Sequence, residues 1–183
     1  MMKIIDGDII QLAKAGEINV LIHGCNCKGV MGAGLAGQIR HHFPAAYKAD
    51  LEHYEMFSAD TRLGDYSVAD CSFYDMSKPL KGINQYEIHK LFIVNAYTQY
   101  NPGRNTDYDA LTSALQSIYL HFANKGYKFG LPQIGCGIGG GDWNIVSKII
   151  KDTFHDEDVT IVMYNPKPKQ VDDSWMKPLL TFF

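Results

Sequence analysis

Several features that would assign this sequence to a large class of proteins are missing from it. No apolar stretch approaches the roughly 20 residues needed to span a membrane, and the first eight residues, MMKIIDGD, lack the pattern of a signal peptide. The net charge of −3 provides no basic surface for bulk nucleic acid. No two of the four cysteines form a Cys-x-x-Cys motif, and a chain of 183 residues can form a sizeable core without disulfide bonds. We therefore expect a reduced, cytoplasmic monomer with neither a membrane partner nor a bulk nucleic-acid partner.

What is present is an alternation of strand and helix patterns. Short apolar runs rich in branched residues alternate with segments whose apolar residues recur at helical spacing. This alternation predicts an α/β fold with a mixed, mostly parallel central sheet that is covered on both faces. Strands are predicted over residues 3–5, 18–22, 63–73, 89–97, 129–134 and 159–164, and helices over 9–15, 35–43, 45–57, 107–124 and 143–154.

Two segments fall outside this alternation. Residues 79–85 have the composition of a turn or of the connection of a hairpin. From about residue 165 the chain forms a tail with three prolines and an apolar end at 179–183. We expect this tail to pack on the body of a single domain spanning residues 1–183.

The first candidate site follows the apolar strand at residues 18–22. Three polar side chains, His23, Asn26 and Lys28, come just after the predicted end of this strand, and Gly32-Ala33-Gly34 then precedes a helix. A strand, a glycine turn and a helix N-terminus bind phosphate through free backbone N–H groups and the helix dipole. The polar residues lie where an α/β sheet usually binds its ligand, beyond the carboxyl ends of strands.

The same glycines match the dinucleotide fingerprint Gly32-x-Gly34-x-x-Gly37. A lone match is weak evidence, because the strand ends several residues too early and no acidic residue closes a second strand at the expected distance. A nicotinamide-dependent oxidoreductase is therefore a minor alternative. The other alternative is that these glycines only allow the helix to pack tightly against the strand.

A second glycine-rich segment lies between the strand at 129–134 and a helix that Asp142 would cap. Five of the seven residues from 135 to 141 are glycine, and such a run costs chain entropy that folding must offset. A surface turn needs one or two glycines, whereas five indicate backbone N–H groups wrapped around an anion. Two such loops in one domain are suited to a diphosphate held between them.

Together these segments resemble the macrodomains, a family that binds ADP-ribose. The resemblance rests on Gly7-Asp8-Ile9, on the turn His23-Gly24-Cys25-Asn26, on residues 31–36 (MGAGLA) and on residues 132–143. It implies a three-layer α/β/α fold around a mixed, mostly parallel sheet. The first loop is most similar to the ADP-ribose 1''-phosphate phosphatase branch, and the segment from Ile134 to Ile138 with Trp143 is similar to the branch that includes ADP-ribosyl-glutamate hydrolases.

The resemblance also implies roles for individual residues. Asp8 would accept a hydrogen bond from the adenine amino group and the Ile9 N–H would reach a ring nitrogen, while Asn26 would face the distal ribose. The alternative for Asp8 is a structural one, since it is placed to cap the helix at 9–15. The remaining binding residues implied are Gly32, Ala33, Gly34, Leu35 and Ala36 with Gly135, Cys136, Gly137, Ile138, Gly139 and Gly140 for the diphosphate, and Tyr164 or Asn165 beside the adenine. Glutamate-deADP-ribosylating relatives use a lysine and an aspartate that here match Ala96 and Gly139, so their lysine-dependent mechanism is not expected.

His23 is the first choice for chemistry, with Asn26 orienting the ribose or the attacking water. An imidazole beside the distal ribose could exchange a proton near neutral pH, which predicts an ionisation between about pH 5.5 and 7.5. The alternative is a hydrogen-bonded histidine that only shapes the loop. Lys28 could neutralise a terminal phosphate, although loop lysines are commonly only solvated, and Asp142 is favoured as a helix cap over a base. Cys25 and Cys136 are not favoured as nucleophiles, and no standard zinc spacing appears, so neither a metal nor a cofactor is expected.

These observations predict a protein that binds ADP-ribose derivatives. The activity we expect is removal of the terminal phosphate from ADP-ribose 1''-phosphate. The alternatives are an ADP-ribosyl hydrolase acting on modified protein or nucleic acid, and a non-catalytic ADP-ribose-binding module. All three need the same pocket.

Overall fold

A six-stranded sheet forms the centre of the protein in the computed structural model, which describes residues 2–79 and 86–164. The strand order is β1-β8-β7-β2-β6-β3, and every neighbouring pair is parallel except β3 with β6. The six strands are β1 (Met2–Gly7), β2 (Val20–Asn26), β3 (Tyr66–Asp70), β6 (Phe92–Gln99), β7 (Lys128–Leu131) and β8 (Asp158–Tyr164). The mixed, mostly parallel sheet expected from the sequence is confirmed.

Helices cover both faces of this sheet. They are α1 (Ile9–Lys14), α2 (Gly34–His42), α3 (Pro44–Met56), α4 (Ala59–Arg62), α5 (Tyr108–Phe122) and α6 (Trp143–Thr153). One buried apolar cluster joins α5 and α6 to the sheet, and a second joins α1, α2 and α3 to the opposite face. The described residues therefore form three α/β/α layers, as the resemblance implied.

Aspartates begin three of the helices. Asp8, Asp107 and Asp142 each accept a hydrogen bond from a backbone N–H in the first turn of the helix that follows. Such caps satisfy donors that have no partner inside the helix. The capping positions predicted for Asp8 and Asp142 are confirmed.

Several predicted boundaries differ from the structure. The strand expected over 63–73 is limited to β3, because residues 63 and 64 form a turn and Phe73 already belongs to β4. The strand expected over 89–97 is two strands, since β5 (Tyr86–His89) leaves the main sheet and pairs antiparallel with β4 (Phe73–Pro79). Most important for the site, β2 does not end at residue 22 but continues to Asn26, paired with β6.

Some predictions lie outside the described residues, and two kinds of feature are absent from the part of the chain that the structure describes. Residues 80–85, the centre of the predicted hairpin connection, and the tail from residue 165 lie outside the described residues, as does Asn165. None of the helices that the structure describes is both long and apolar enough to cross a membrane. The described side chains also contain no group of three or more histidine, cysteine, aspartate or glutamate residues that could hold a metal ion.

Candidate ligand-binding cleft

A cavity of about 440 Å³ opens at the carboxyl ends of the central parallel strands. Two loops form its sides: the first glycine loop (residues 27–33), between β2 and α2, and the second glycine loop (residues 132–142), between β7 and α6. This is the edge at which parallel α/β sheets bind ligands. The predicted binding residues that line the cavity are Gly32, Ala33, Gly34, Leu35, Ala36, Gly135, Cys136, Gly137, Ile138, Gly139 and Tyr164.

The N-terminus of α2 forms one wall of the cavity. Ala33 caps this helix without a side-chain hydrogen bond, and Gly34 adopts a φ of +57°, a conformation that favours glycine. The N–H groups of Gly34, Leu35 and Ala36 make no hydrogen bond to any described residue. These donors and the positive end of the helix dipole are therefore available to an anion in the cavity.

The second glycine loop forms the opposite wall. Hydrogen bonds from Gly140 N to Gly137 O (3.1 Å) and from Gly141 N to Gly135 O (2.9 Å) close the loop on itself. Within residues 135–141, the N–H groups that have no partner among the described residues are those of Gly135, Gly137, Ile138 and Gly139. Since these unpaired donors belong to residues that line the cavity, this wall is also suited to an anion.

The two loops meet across the cavity. A Cβ placed on Gly34 would lie 3.2 Å from Ile138 Cδ1, so the Ile138 side chain reaches the first turn of α2. Ile138 is nevertheless 56% exposed. The side chain therefore forms a partial apolar cover over the space between the two sets of free N–H groups.

His23 does not lie at the end of a strand, and that prediction is wrong. It occupies the middle of β2, is 1% exposed, and faces the layer that contains α3. Its Nε2 lies 2.7 Å from Asn95 Oδ1. Asn95 Nδ2 donates to Ala46 O and to Ser67 Oγ, which orients the amide so that Oδ1 accepts from the imidazole. His23 Nε2 therefore carries the proton in a neutral ring.

Burial lowers the pKa of His23 to about 4, although the hydrogen bond to Asn95 acts in the opposite direction. This pKa lies below the ionisation between pH 5.5 and 7.5 that the sequence predicted for His23. The reason is that four further residues, 23–26, belong to the strand and keep the imidazole in the sheet beneath α3 and not in a loop, although His23 is among the residues that line the cavity. A buried neutral ring with this pKa is a weak proton acceptor, and the alternative interpretation, a hydrogen-bonded structural histidine, agrees with the geometry.

Asn26 lines the cavity as predicted, but its amide is engaged in its own loop. Its Nδ2 donates to Val30 O at 2.7 Å, and its Oδ1 accepts from Lys28 N at 2.9 Å. The side chain is only 7% exposed. Asn26 therefore shapes the first glycine loop, and contact with a ribose would have to compete with these bonds.

The other end of the cavity lies at β8 and β1. Tyr164, 65% exposed, lines it and pairs with Gly7, the residue before Asp8. Asp8 and Ile9 do not themselves line the cavity, and neither does Gly140. Asp8 Oδ1 caps α1, whereas its Oδ2 and the Ile9 N–H make no hydrogen bond to a described residue. A donor and an acceptor are thus unused beside this end of the cavity.

The cavity is lined almost entirely by uncharged groups. No aspartate, glutamate, lysine or arginine occurs among the described residues that line it. Burial raises the pKa of the thiols of Cys25 and Cys136, which disfavours the thiolate form. Lys28 does not line the cavity, and its Nζ lies 4.0 Å from the centre of the Tyr100 ring. A ligand in this cavity therefore meets backbone dipoles instead of charged side chains.

Gln99 is a cavity residue that sequence reasoning missed. It is the last residue of β6, and its Nε2 donates to Asn101 O at 2.8 Å, which leaves Oε1 free of described partners. Ala96, assigned above to the catalytic lysine position of relatives, is instead fully buried and pairs with Gly24. The strand residue that reaches the cavity is Gln99, three positions later. Neither residue is a lysine.

Arg62 is a second residue that sequence reasoning missed. It is fully buried beneath the first glycine loop, where it pairs with Asp50 and its Nη1 donates to Cys27 O at 2.9 Å. Its guanidinium also lies 4.1 Å from the centre of the Tyr97 ring. Arg62 therefore holds the start of the first loop. The sequence does not predict that Arg62 is buried, because a helix of four residues is too short to show a periodic pattern of apolar residues.

Comparisons with known proteins agree with this geometry. The family model described as Macro domain matches residues 22–150. An uncharacterized 17.5 kDa protein of Enterobacteria phage T4 is 36% identical over 169 residues, which are 91% of this chain and 98% of that protein. The ADP-ribose 1''-phosphate phosphatase of Saccharomyces cerevisiae is 24% identical over 156 residues, 78% of this chain and 88% of that protein.

A bacterial relative combines a sequence match with a solved structure. The DNA ADP-ribosyl transferase–DNA ADP-ribosyl glycohydrolase fusion protein of Thermosipho africanus is 23% identical over 186 residues, 97% of this chain but only 45% of that protein. The structure of Thermosipho africanus DarTG in complex with ADP-ribose has a TM-score of 0.69 at 21% identity, covering 91% of this chain and 42% of that one. With the family model matching most of the chain, this protein belongs to the Macro domain family.

Proposed function

We propose that this protein binds ADP-ribose derivatives in the cleft and removes the terminal phosphate of ADP-ribose 1''-phosphate. The observation that carries the proposal is the pair of glycine loops, whose free N–H groups face one cavity from two sides. A diphosphate between them would meet the first turn of α2 on one side and the donors of Gly137 to Gly139 on the other. Backbone donors suit phosphate oxygens without requiring a charged side chain in the cleft.

The adenosine half would lie towards β8 and β1. There the exposed ring of Tyr164 offers an apolar face, Asp8 Oδ2 is a free acceptor for an amino group, and the Ile9 N–H is a free donor. The distal ribose would then lie at the other end of the cleft, near Asn26 and Gln99. Gln99 Oε1 is the unused acceptor at that end, and we assign it to a ribose hydroxyl.

Hydrolysis would transfer the phosphoryl group to water. The water oxygen forms a bond to phosphorus, the ester bond between phosphorus and the ribose oxygen breaks, and ADP-ribose and inorganic phosphate leave. The loop N–H groups would stabilise the charge that develops. With His23 buried, we propose that the phosphate of the substrate accepts the proton of the attacking water, since its second pKa is about 6.

The test compares binding and turnover in the same preparation. Calorimetry should show that ADP-ribose binds and that NAD binds more weakly, because the chain has no strand–glycine–helix–acid unit for a nicotinamide dinucleotide. The same preparation should release inorganic phosphate from ADP-ribose 1''-phosphate. Tighter binding of NAD than of ADP-ribose would reject the ligand, whereas binding without turnover of any ADP-ribose ester would leave a non-catalytic ADP-ribose-binding module.

A second candidate function is hydrolysis of ADP-ribose from modified protein or nucleic acid. It is favoured by the Thermosipho africanus relative, which is named as a glycohydrolase. The presence of Gln99, and not a lysine, at the end of β6 disfavours the lysine-dependent route. Assays with ADP-ribosylated protein and ADP-ribosylated DNA, run beside the phosphatase assay, separate the two candidates.

A further inference from the structure

The five glycines of residues 135–141 do not all serve the same purpose. A Cβ on Gly135 would lie 2.9 Å from Thr106 Cγ2, and one on Gly141 would lie 3.2 Å from the same atom. A Cβ on Gly139 would collide with Thr106 Oγ1. By contrast, a Cβ on Gly137 would meet nothing within 4 Å. Three of the glycines are therefore needed so that the loop can wrap around one side chain.

Thr106 is also hydrogen-bonded to the loop that surrounds it. Its Oγ1 donates to Gly135 O at 2.7 Å, and its backbone N–H donates to Gly139 O at 3.3 Å. Gly135 O accepts a second bond, from Gly141 N at 2.9 Å, so the two ends of the glycine run meet at the atom that the Thr106 hydroxyl binds. Thr106 comes from a different part of the chain, the connection between β6 and α5, where it bridges to Gln99.

We propose that Thr106 is the positioning residue that gives the second glycine loop its anion-binding shape. The inference rests on the proposed binding of ADP-ribose. With carbonyls of Gly135 and Gly139 turned inward to Thr106, the N–H groups of Gly137 to Gly139 are left for the ligand. Thr106 does not line the cavity and would act through the loop. Without its hydroxyl, the Gly135 carbonyl loses a donor, and a glycine-rich segment has little else to restrain it.

The decisive experiment uses three variants with calorimetry on ADP-ribose. Thr106→Val keeps the shape of the side chain and removes the hydroxyl, so the affinity should fall roughly 10-fold or more, the scale of one unmatched hydrogen bond. Thr106→Ser keeps the hydroxyl and should stay within about 3-fold of the original protein, well under one such bond. Thr112→Val is the matched control, because Thr112 Oγ1 donates to Tyr108 O at the same 2.7 Å within α5. The affinity of Thr112→Val for ADP-ribose should not change.

Hydrogen exchange in the ligand-free proteins tests the loop without assuming any ligand. The Gly141 amide, bonded to Gly135 O, should exchange faster in Thr106→Val than in Thr106→Ser or Thr112→Val. If Thr106→Val does not fold, Thr106→Ala, which adds no atom, replaces it. Unchanged affinity in Thr106→Val, or equal losses in the valine and serine variants, would overturn the inference. If the original protein binds no ADP-ribose, the proposed function fails, and the exchange data alone decide the role of Thr106.

Discussion

The environment of His23 predicts how stability should depend on pH. The imidazole has a pKa of about 4 in the folded protein against 6.5 in the unfolded chain. Below pH 6.5 the unfolded chain takes up a proton that the folded protein cannot accept until about pH 4. The contribution of His23 to stability is therefore complete above pH 6.5 and is lost as the pH falls from 6.5 to 4, by roughly 3 kcal/mol in total.

The perturbation that isolates this effect is His23→Gln. A glutamine amide can donate to Asn95 Oδ1 as the imidazole does, but it does not titrate in this range. Urea unfolding followed by circular dichroism at pH 7 and pH 4.5 should show a loss that is roughly 2–3 kcal/mol larger in the original protein than in the variant. His41→Gln, at an exposed histidine on α2, is the control and should keep the pH dependence of the original protein.

Two results would refute this reasoning. One is an NMR titration in which the His23 ring protonates near pH 6.5 in the folded protein. The other is a pH dependence of stability in His23→Gln that equals that of the original protein.

The His23→Gln variant also tests the proposed mechanism of hydrolysis. If the substrate phosphate accepts the proton, turnover should keep one pH profile, centred near pH 6, in both proteins. If turnover in His23→Gln instead fell about 10²-fold and its pH profile near pH 6 disappeared, His23 would be the general acid or base.

Further predictions concern ligand contacts. Asp8→Ala should weaken ADP-ribose binding by about 1–3 kcal/mol and lower the stability by about 1 kcal/mol as the cap is lost, whereas Asp8→Asn should keep the stability. Calorimetry and melting curves measure the two effects, and unchanged affinity in a folded Asp8→Ala would show that Asp8 is only a cap. Gly137→Val should fold normally, because its Cβ meets nothing within 4 Å, yet lose ADP-ribose binding; persistent binding would remove this loop from the site. Gly139→Ala should lower the melting temperature through its collision with Thr106 and the Gly135 carbonyl, and an unchanged melt would contradict that packing. Gly34→Val combines a φ of +57° with contact to Ile138 and should abolish binding, which calorimetry checks.

The sequence by itself determined the features that depend on local physics. The α/β alternation follows from hydrophobic periodicity, and the helix starts at Asp8 and Asp142 follow from side chains that satisfy the nearest free N–H groups. The placement of glycine loops after strands also follows from the sequence, since each loop lies between an apolar run and a helical pattern. These signals lie within a few residues of each other, so the linear order of the chain contains them.

Only the tertiary structure decided what the site residues can do. The sequence predicts His23 in a loop, whereas β2 pairs with β6 as far as Asn26 and places the ring under α3 with Asn95, a residue 72 positions away. The sequence predicts that the glycine run serves one anion, whereas the loop also wraps around Thr106, 29 residues from Gly135. Burial, pKa and loop shape depend on atoms brought together by long-range packing, and no pattern in the neighbouring sequence specifies those partners.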